Sequence, residues 1–325
     1  MNAEDSDWQP LTDGLPESPQ VRALLVHPDD PAVIFAGTQD GPYRSGDGGD
    51  SWQRTDFPDP DLPVWSLTVH PTDHSILYAG TAPAMVYRSD DRGEHWSRLP
   101  DPGTGHDVQM GFPTRLISLT LDPTEPDTIY AGVEVGGVRR STDAGQTWTD
   151  SSSHLGQLAD ENPRLRSRLF SDTEREGMLD THALAMSTAA PGVAFLAVRM
   201  GVFRSSDGVE WSDLNVGRYS PLTYCRDITF AEHDPRVLYA CLSDESQGQA
   251  GSLYRSNDLG ESWFRYDKVT PASTLMQVSP HPTNPEQVWC ATREGEVFAT
   301  ADGGQTWTAH PLPTGGRDVY ALASG

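Results

Sequence analysis

One short pattern, repeated six times, constrains this chain more than any other feature. Each copy begins with Ser or Thr, has an Asp two residues later, usually has a Gly two residues beyond that, and ends in Trp. The Asp carboxylate can accept backbone N–H bonds, Gly allows a positive φ, and the Trp ring can anchor the outgoing strand by burial. The pattern therefore predicts six tight turns between strands, at residues 45–52, 89–96, 141–148, 205–211, 256–263 and 300–307.

These turns belong to a longer repeat with four predicted strands. An alternating apolar strand ends in a Pro-rich turn, a second strand reads YAGT or a variant of it, a third carries an aromatic-Arg-Ser sequence, and a fourth begins at the Trp. Four strands in each repeat are typical of a propeller blade. The first strands of the repeats are predicted within residues 21–31, 64–74, 116–126, 182–191, 225–235 and 275–285.

The two ends of the chain bear on the number of blades. Residues 7–16, DWQPLTDGLP, match a fourth strand that begins at Trp8, and residues 319–323, VYALA, match a first strand. Together they predict a reduced seventh blade, in which the two chain ends pair and close the ring. Six blades with one redundant terminal strand is the alternative.

The repeated S-x-D-x-G-x-x-W turn resembles the Asp-box, or BNR, repeat of β-propellers, and the resemblance covers essentially the whole chain. It implies one all-β propeller domain, residues 1–325, built from four-stranded antiparallel blades. Similar repeats occur in sialidases, in xyloglucan-cleaving glycosidases, in sortilin-type receptors and in a photosystem II assembly factor. The regular HP-x-x-P and YAGT segments are more like the last three, and a shared fold does not choose among their activities.

The acidic composition narrows the range of partners. The formal net charge is −24 and the pI is near 4.6, so the mean field repels nucleic acid and anionic membranes, and neither is predicted as a partner. The three cysteines are widely separated and lack a CxxC pair, which predicts neither a disulfide framework nor a zinc site, and no cofactor is predicted. A polar N-terminal segment and the lack of a long apolar run predict a soluble, cytoplasmic protein.

Two long insertions interrupt the repeat, at residues 101–114 and 150–180. Both lie in the connection from a fourth strand to the next first strand, on the face of a propeller that usually binds ligands. In the longer insertion, Asn162 with Pro163 and Asp172 predict helix starts. The longer insertion could form a lid or a surface excursion without a role, and the sequence leaves both open.

The first strand of each blade should line the central channel. Aligning the repeats places one residue of each blade at the channel entrance, and a purely structural column would be uniformly small or apolar. The varied residues of this column therefore predict a ligand site. They are Arg22, Trp65, Ile117, His182, Arg226, Met276 and Tyr320.

A second column follows the YAGT strands and should project toward the same mouth. Its members are Gln39, Ala82, Glu134, Arg199, Ser243 and Arg293, flanked by Arg115, Asp180, Tyr224 and Asp318. Together the columns describe a basic, partly aromatic pocket in an acidic protein, and forked Arg donors suit a planar carboxylate or a phosphate. A structural network of ion pairs is the alternative.

Other conspicuous residues are better explained by the repeat. One carboxylate in each separate Asp-box turn gives no ligand cluster for calcium. A metal site formed by His106, Asp180 and His182 has no fixed ligand spacing behind it, so no metal is predicted. Cys225, beside Tyr224, is predicted as a small buried residue rather than a nucleophile. The arginines of the third strands follow the period and are predicted to be structural; they are Arg44, Arg88, Arg140, Arg204 and Arg255.

The first functional hypothesis is a hydrolase or lyase that acts on a small anionic or glycosidic substrate, or a binder of such a molecule. Arg22, Arg226 and one further arginine would hold the anionic group, the third being Arg115, Arg199 or Arg293, with Trp65 and Met276 beside it. The acid, base or nucleophile would come from His182, Glu134, and Tyr320 or Tyr224. Sialidases use related residue types, but the chain lacks their Arg-Ile-Pro motif, since residues 21–25 read VRALL.

The second hypothesis is a non-catalytic scaffold that grips a protein partner with the insertion face. Sortilin-like and assembly-factor propellers favour this possibility by resemblance. The polar channel column weakens it.

Overall fold

The computed structural model describes residues 2–4, 7–103, 111–168, 171–313 and 316–324. The chain forms a six-bladed β-propeller in which every blade is a four-stranded antiparallel sheet, with its strands adjacent in chain order. A separate hairpin precedes the blades and pairs β1 (Asn2–Glu4) with β2 (Asp7–Gln9). The all-β class and the four-stranded blades agree with the prediction.

The first three blades contain the strands β3 to β14, which run outward from the channel in chain order. Blade 1 consists of β3 (Ala23–His27), β4 (Asp30–Thr38), β5 (Gly41–Ser45) and β6 (Gln53–Arg54). Blade 2 consists of β7 (Val64–Val69), β8 (Leu77–Thr81), β9 (Val86–Ser89) and β10 (Ser97–Arg98). Blade 3 consists of β11 (Leu116–Leu121), β12 (Ile129–Val133), β13 (Gly137–Ser141) and β14 (Thr149–Asp150).

The last three blades contain β15 to β26. Blade 4 consists of β15 (Thr181–Ser187), β16 (Ala190–Val198), β17 (Gly201–Ser205) and β18 (Ser212–Asp213). Blade 5 consists of β19 (Tyr224–Ala231), β20 (Asp234–Ser243), β21 (Gly251–Ser256) and β22 (Phe264–Arg265). Blade 6 consists of β23 (Leu275–Pro280), β24 (Val288–Thr292), β25 (Val297–Thr300) and β26 (Thr308–Ala309).

The Asp-box turns join the third strand of each blade to the fourth, as predicted. In blade 3 the Asp143 carboxylate accepts the Thr147 N–H at 2.8 Å and the Thr147 hydroxyl at 2.6 Å. The Ser141 hydroxyl donates to Asp143 at 2.8 Å and accepts the N–H of Gly145, whose φ is +86°. These bonds close the turn on itself and lower the pKa of Asp143 to about 2, chiefly through the Thr147 hydroxyl. The box carboxylates are therefore used by the fold.

Glycines in the second strands let neighbouring blades approach each other. A Cβ at Gly80 would meet the Ser66 hydroxyl and the backbone and side chain of Leu116 in the next blade, and a Cβ at Gly132 would meet Thr181 of blade 4. The YAGT segments thus carry Gly because another strand passes directly over them. Apolar clusters fill the spaces between successive blades; in one of them Phe35 of blade 1 packs with Leu77 and Tyr87 of blade 2.

The insertion at 150–180 contains α1 (Ser153–Glu161), a 3₁₀ turn (Pro163–Leu165) and α2 (Glu176–Leu179). Asn162 caps the 3₁₀ turn by accepting the Arg164 N–H. Leu155 and Met178 are fully buried and pack with Val135, Val138 and Val198 of blades 3 and 4. A second 3₁₀ turn (Val216–Arg218) follows blade 4.

None of the helices in the described ranges has the length and apolar character that crossing a bilayer requires.

The prediction of a reduced seventh blade is wrong. Residues 319–323 form no strand, and β2 pairs with β1 instead of with the C-terminal segment. The two candidate strands have no second and third strands between them, so they lack the partners that complete a sheet. The ends still meet blade 6, because the Trp8 indole donates to the His310 carbonyl at 2.9 Å and the Ser324 N–H donates to the Ser279 hydroxyl.

Candidate functional site

Five of the six inner strands have a bulge near their start. In blades 2 to 6 the pairing of the first and second strands shifts by one residue, which leaves one inner-strand residue unpaired. A bulge of this kind bends the strand and redirects its side chain. The unpaired residues are Trp65, Ile117, His182, Arg226 and Met276, which are five of the seven residues of the predicted column.

Four of these five residues line a cavity of about 160 Å³ at the centre of the ring. Met276 does not line it, because its side chain is buried at 1% exposure, and the next residue, Gln277, lines the cavity instead. The cavity residues that the sequence predicted are Arg22, Trp65, Ile117, His182, Arg226 and Tyr320. The remaining predicted site residues lie around this set rather than in its lining; they are Arg115, Glu134, Arg199, Tyr224 and Arg293.

Trp65 is enclosed by cations. The guanidinium carbon of Arg22 lies 4.6 Å from the ring centroid and that of Arg115 lies 4.4 Å from it, while Arg115 also stacks on Phe112 at 4.4 Å. The Tyr320 ring contacts Trp65 edge-on at 5.6 Å. Burial, with the nearby charge of Arg115, lowers the pKa of Arg22. Trp65 thus holds two like charges close together through cation–π contacts.

Arg115 also pairs with Glu134. Its Nη1 lies 3.0 Å from Oε2 of Glu134, and both side chains are largely buried. Burial raises the pKa of Glu134, since the attraction of Arg115 offsets only part of the cost of desolvating the charge. Glu134 is therefore a carboxyl group that holds its proton more firmly than usual.

Asp180 has the opposite behaviour. Its Oδ2 lies 3.2 Å from Nε2 of His182 and 3.3 Å from Nε of Arg199, and the residue is 5% exposed. Burial alone would raise its pKa, but His182 and Arg199 outweigh burial and lower it. The repeat alignment placed Asp180 at the edge of the predicted pocket, with no catalytic or binding role. In the structure, the Asp180 carboxylate contacts His182, which was predicted as a catalytic residue.

His182 is held between two acceptors. Its Nδ1 lies 2.7 Å from the Cys225 carbonyl oxygen, and its Nε2 faces Asp180. Both ring nitrogens therefore face an oxygen that can accept a hydrogen bond. Tyr224 packs against His182 with centroids 4.8 Å apart and under Arg199 at 5.0 Å, and burial raises the pKa of Tyr224 to about 12.

Within the described residues, Arg226 is the guanidinium group of the site without a hydrogen-bonded partner, although its charge attracts the nearby carboxyl groups of Asp180, Glu134 and Asp227. It lines the cavity and makes no hydrogen bond or ion pair with any other residue in the described ranges. Arg293, at the rim, pairs more loosely with Asp318, with Nη1 and Oδ1 3.9 Å apart. A cavity that holds one unpaired arginine beside Arg22 and His182 can accept a carboxylate or a phosphate.

Residues away from the channel offer less chemistry. Cys225, Cys241 and Cys290 are buried and unpaired, and burial raises the pKa of each thiol. Within the described residues, the side chains close enough to share a metal ion are the exposed Asp91, Glu94 and His95 on the turn of blade 2. His106, considered above as a metal ligand, lies outside the described residues.

Two family models match the chain. The DUF6242 beta propeller domain matches residues 1–163, which is half of the chain, and the model described as "Sortilin, neurotensin receptor 3," matches residues 251–321.

Characterised relatives and solved structures include xyloglucanases. A Paenibacillus xyloglucanase is 32% identical over 244 residues, which cover 71% of this chain and 19% of the relative. This chain therefore spans about a fifth of the length of that relative. The GH74 xyloglucanase structure from Xanthomonas campestris matches 90% of this chain and 45% of its own, with 20% identity and a TM-score of 0.67.

A second group of structures matches over nearly their whole length. YCF48 from Cyanidioschyzon merolae is 15% identical, with a TM-score of 0.60 over 91% of this chain and 86% of its own. A structure of YCF48 bound to D1 peptide matches with a TM-score of 0.56 and 15% identity, over 91% of this chain and 83% of its own. Likeness at this identity shows the shared fold. The match over half of the chain, together with its six Asp-box turns, makes this protein a member of the Asp-box, or BNR-like, β-propeller family described by the DUF6242 beta propeller domain.

Proposed function

We propose that the channel mouth binds the carboxylate of an anionic sugar unit and that the protein is a glycan binder or a glycosidase-like hydrolase. The observation that carries this proposal is the unpaired Arg226 in the cavity, next to Arg22 and His182. A guanidinium group without a hydrogen-bonded partner is free to form two parallel hydrogen bonds with an anion. Similarity to xyloglucanases supports a saccharide as the carrier of that anion.

A hydrolytic role would rest on Glu134 and Asp180. Glycoside hydrolysis commonly needs one carboxylic acid that keeps its proton and one carboxylate that is ionised. Burial raises the pKa of Glu134, while His182 and Arg199 hold that of Asp180 down. We assign Glu134 as the acid and Asp180 as the base or nucleophile, with His182 positioning Asp180. Tyr224, with a pKa of about 12, is assigned to packing against His182 rather than to attack.

Arg226→Ala tests the binding site. We expect galacturonate or glucuronate to raise the melting temperature of the unmodified protein and to lose at least about tenfold in affinity for the variant, since a charge-assisted bidentate contact is worth about 1.5–3 kcal/mol. Calorimetric titration measures the affinity. Arg218→Ala is the matched control, because Arg218 is exposed on the turn after blade 4. Equal affinity of both variants for the anion would remove Arg226 from the site.

A protein-binding scaffold is the second candidate. The reciprocal coverage with YCF48, one structure of which holds D1 peptide, favours it. A protein partner that still co-purifies with both the Arg226→Ala and the His182→Ala variant would favour the scaffold. If, in addition, no anionic sugar shifts the melting temperature, the saccharide proposal is wrong.

A further inference from the structure

One wall of the channel mouth is built differently from the others. The inner strands that line the cavity each belong to a four-stranded blade, whereas Tyr320, Ala321 and Leu322 line it from residues 318–324, which form no strand. This segment, here called the strap, lies between the rim of blade 6 and the Arg22–Trp65 stack.

Few contacts hold the strap. Its backbone donates to blade 6 from Asp318, to the Arg293 carbonyl at 2.6 Å, and from Ser324, to the Ser279 hydroxyl at 2.9 Å. The two serine hydroxyls lie 2.8 Å apart, and Tyr320 contacts Trp65 through ring edges. Segments without a strand ladder open at lower free energy than sheets do. Asp318 also has a φ of +56°, a region that residues other than Gly enter rarely.

The strap also limits the size of the site. At about 160 Å³ the cavity is smaller than the roughly 300–1,000 Å³ of most small-molecule sites. Three residues of the strap line the cavity together with Arg22 and Arg226, and the Asp318 carboxylate faces Arg293. The strap therefore presents to Arg293 the same chemical group that a ligand carboxylate would present.

We propose that the strap is an internal occupant of an extended anion site and that oligosaccharides with two or more carboxylates bind by displacing it. The first carboxylate binds Arg226 in the existing cavity, and the next replaces Asp318 at Arg293. This inference rests on the proposed function for the identity of the ligand, but the mobility of the strap can be measured without any ligand.

Hydrogen exchange tests the opening. We expect the amides of residues 318–324 to exchange about 100-fold faster than those of β23, the adjacent inner strand. Protection of the strap equal to that of β23 would overturn the proposal, whatever the protein binds.

A reversible cross-link tests the coupling to binding. The Ser279 and Ser324 hydroxyls are in contact at 2.8 Å, so we expect the double variant Ser279→Cys, Ser324→Cys to form a disulfide on oxidation, and the three native cysteines are buried. We expect oxidation to weaken tetragalacturonate binding by about tenfold or more while leaving monomeric galacturonate within about twofold, and reduction to restore it. Ser279→Cys alone, treated with the same oxidant, is the control.

The outcomes separate the two proposals. Equal tetragalacturonate affinity of the oxidised and reduced double variant overturns displacement of the strap and leaves the proposed function standing. If neither the monomer nor the tetramer binds the unmodified protein, the proposed function fails, and strap displacement by saccharides fails with it even where fast exchange is seen.

Discussion

At the scale of single residues, Asp227 gives the chain a distinct dependence of stability on pH. The residue is 7% exposed, its Oδ2 accepts the Val278 N–H at 3.0 Å, and burial raises its pKa to about 6. Below about pH 3 the carboxyl is largely protonated in both states. Between about pH 4 and 6 the unfolded chain releases the proton first, so the free energy of unfolding falls as pH rises, and above that window the loss is constant.

Asp227→Asn should therefore stabilise the protein at pH 8 by about 2–3 kcal/mol, since each unit of pKa shift corresponds to about 1.4 kcal/mol. The gain should be mostly lost at pH 4, and urea denaturation at the two pH values measures the difference. Asp143→Asn is a control of opposite sign, because the pKa of Asp143, about 2, shows that its charged form stabilises the turn. The variant should be less stable than the parent at pH 8, and the difference in stability should fade toward pH 2. A variant at Asp227 no more stable than the parent at pH 8 would contradict the prediction.

Glu134 carries a prediction for the hydrolytic assignment. An acid works in its protonated form, so kcat/KM should fall as pH rises through the pKa of Glu134, which burial raises above the ordinary value. Glu134→Gln should lower the release of reducing ends from the anionic glycan by about 100-fold or more, while leaving its binding intact. Equal activity of the variant would show that Glu134 is not the acid, and calorimetry of the same variant separates lost binding from lost chemistry.

At the scale of strands, the sequence predicted which strand positions lie around the cavity but not the contacts that their side chains make. The repeat alignment identified the bulged column because Trp65, His182 and Arg226 break an otherwise apolar pattern. It could not distinguish Met276 from Gln277, since the two are adjacent at a bulge and spacing alone does not show which of them faces the cavity. Nor did it foresee that Arg22 and Arg115 cover Trp65, because contacts between blades depend on packing that spacing in one strand does not record.

Gly80 tests the close packing of the blades. Its strand, β8, passes beneath Leu116 of blade 3, and an added Cβ would meet that residue's backbone oxygen at 2.7 Å. We expect Gly80→Ala to destabilise the protein by about 1–3 kcal/mol, as overpacking does, and to lower the melting temperature. Gly111→Ala is the control, because a Cβ there meets nothing within 4 Å. Equal melting temperatures for the two variants would mean that blades 2 and 3 can move apart to fit the added methyl group without a loss of stability.

At the scale of the whole molecule, the six Asp-box copies predicted six blades directly, and the error arose at the ends. Residues 319–323 have the alternation of an inner strand, but alternation describes a side-chain pattern and not a pairing partner. Without second and third strands between them, the two ends pack separately: the N-terminal segment contacts blade 6 and blade 1, through Trp8 and Trp52, and the C-terminal segment contacts blade 6 and the channel. The sequence repeat therefore predicts a blade well where all four strands are present, but it does not predict what structure an incomplete repeat forms.

Net charge sets the response of the whole ring to salt. The chain has 47 acidic residues against 23 lysines and arginines, so self-repulsion opposes the compact state. Surface ion pairs act in the other direction, but each is worth only about 0–1 kcal/mol, and the excess of like charges should dominate. Raising NaCl from about 0.01 to 0.15 M shortens the screening length from about 30 to 8 Å, so the melting temperature should rise by a few degrees. Scanning calorimetry measures this, and KCl should give the same rise if the effect is screening. A melting temperature that falls with added salt would show that attractive pairs outweigh the repulsion of the excess negative charge.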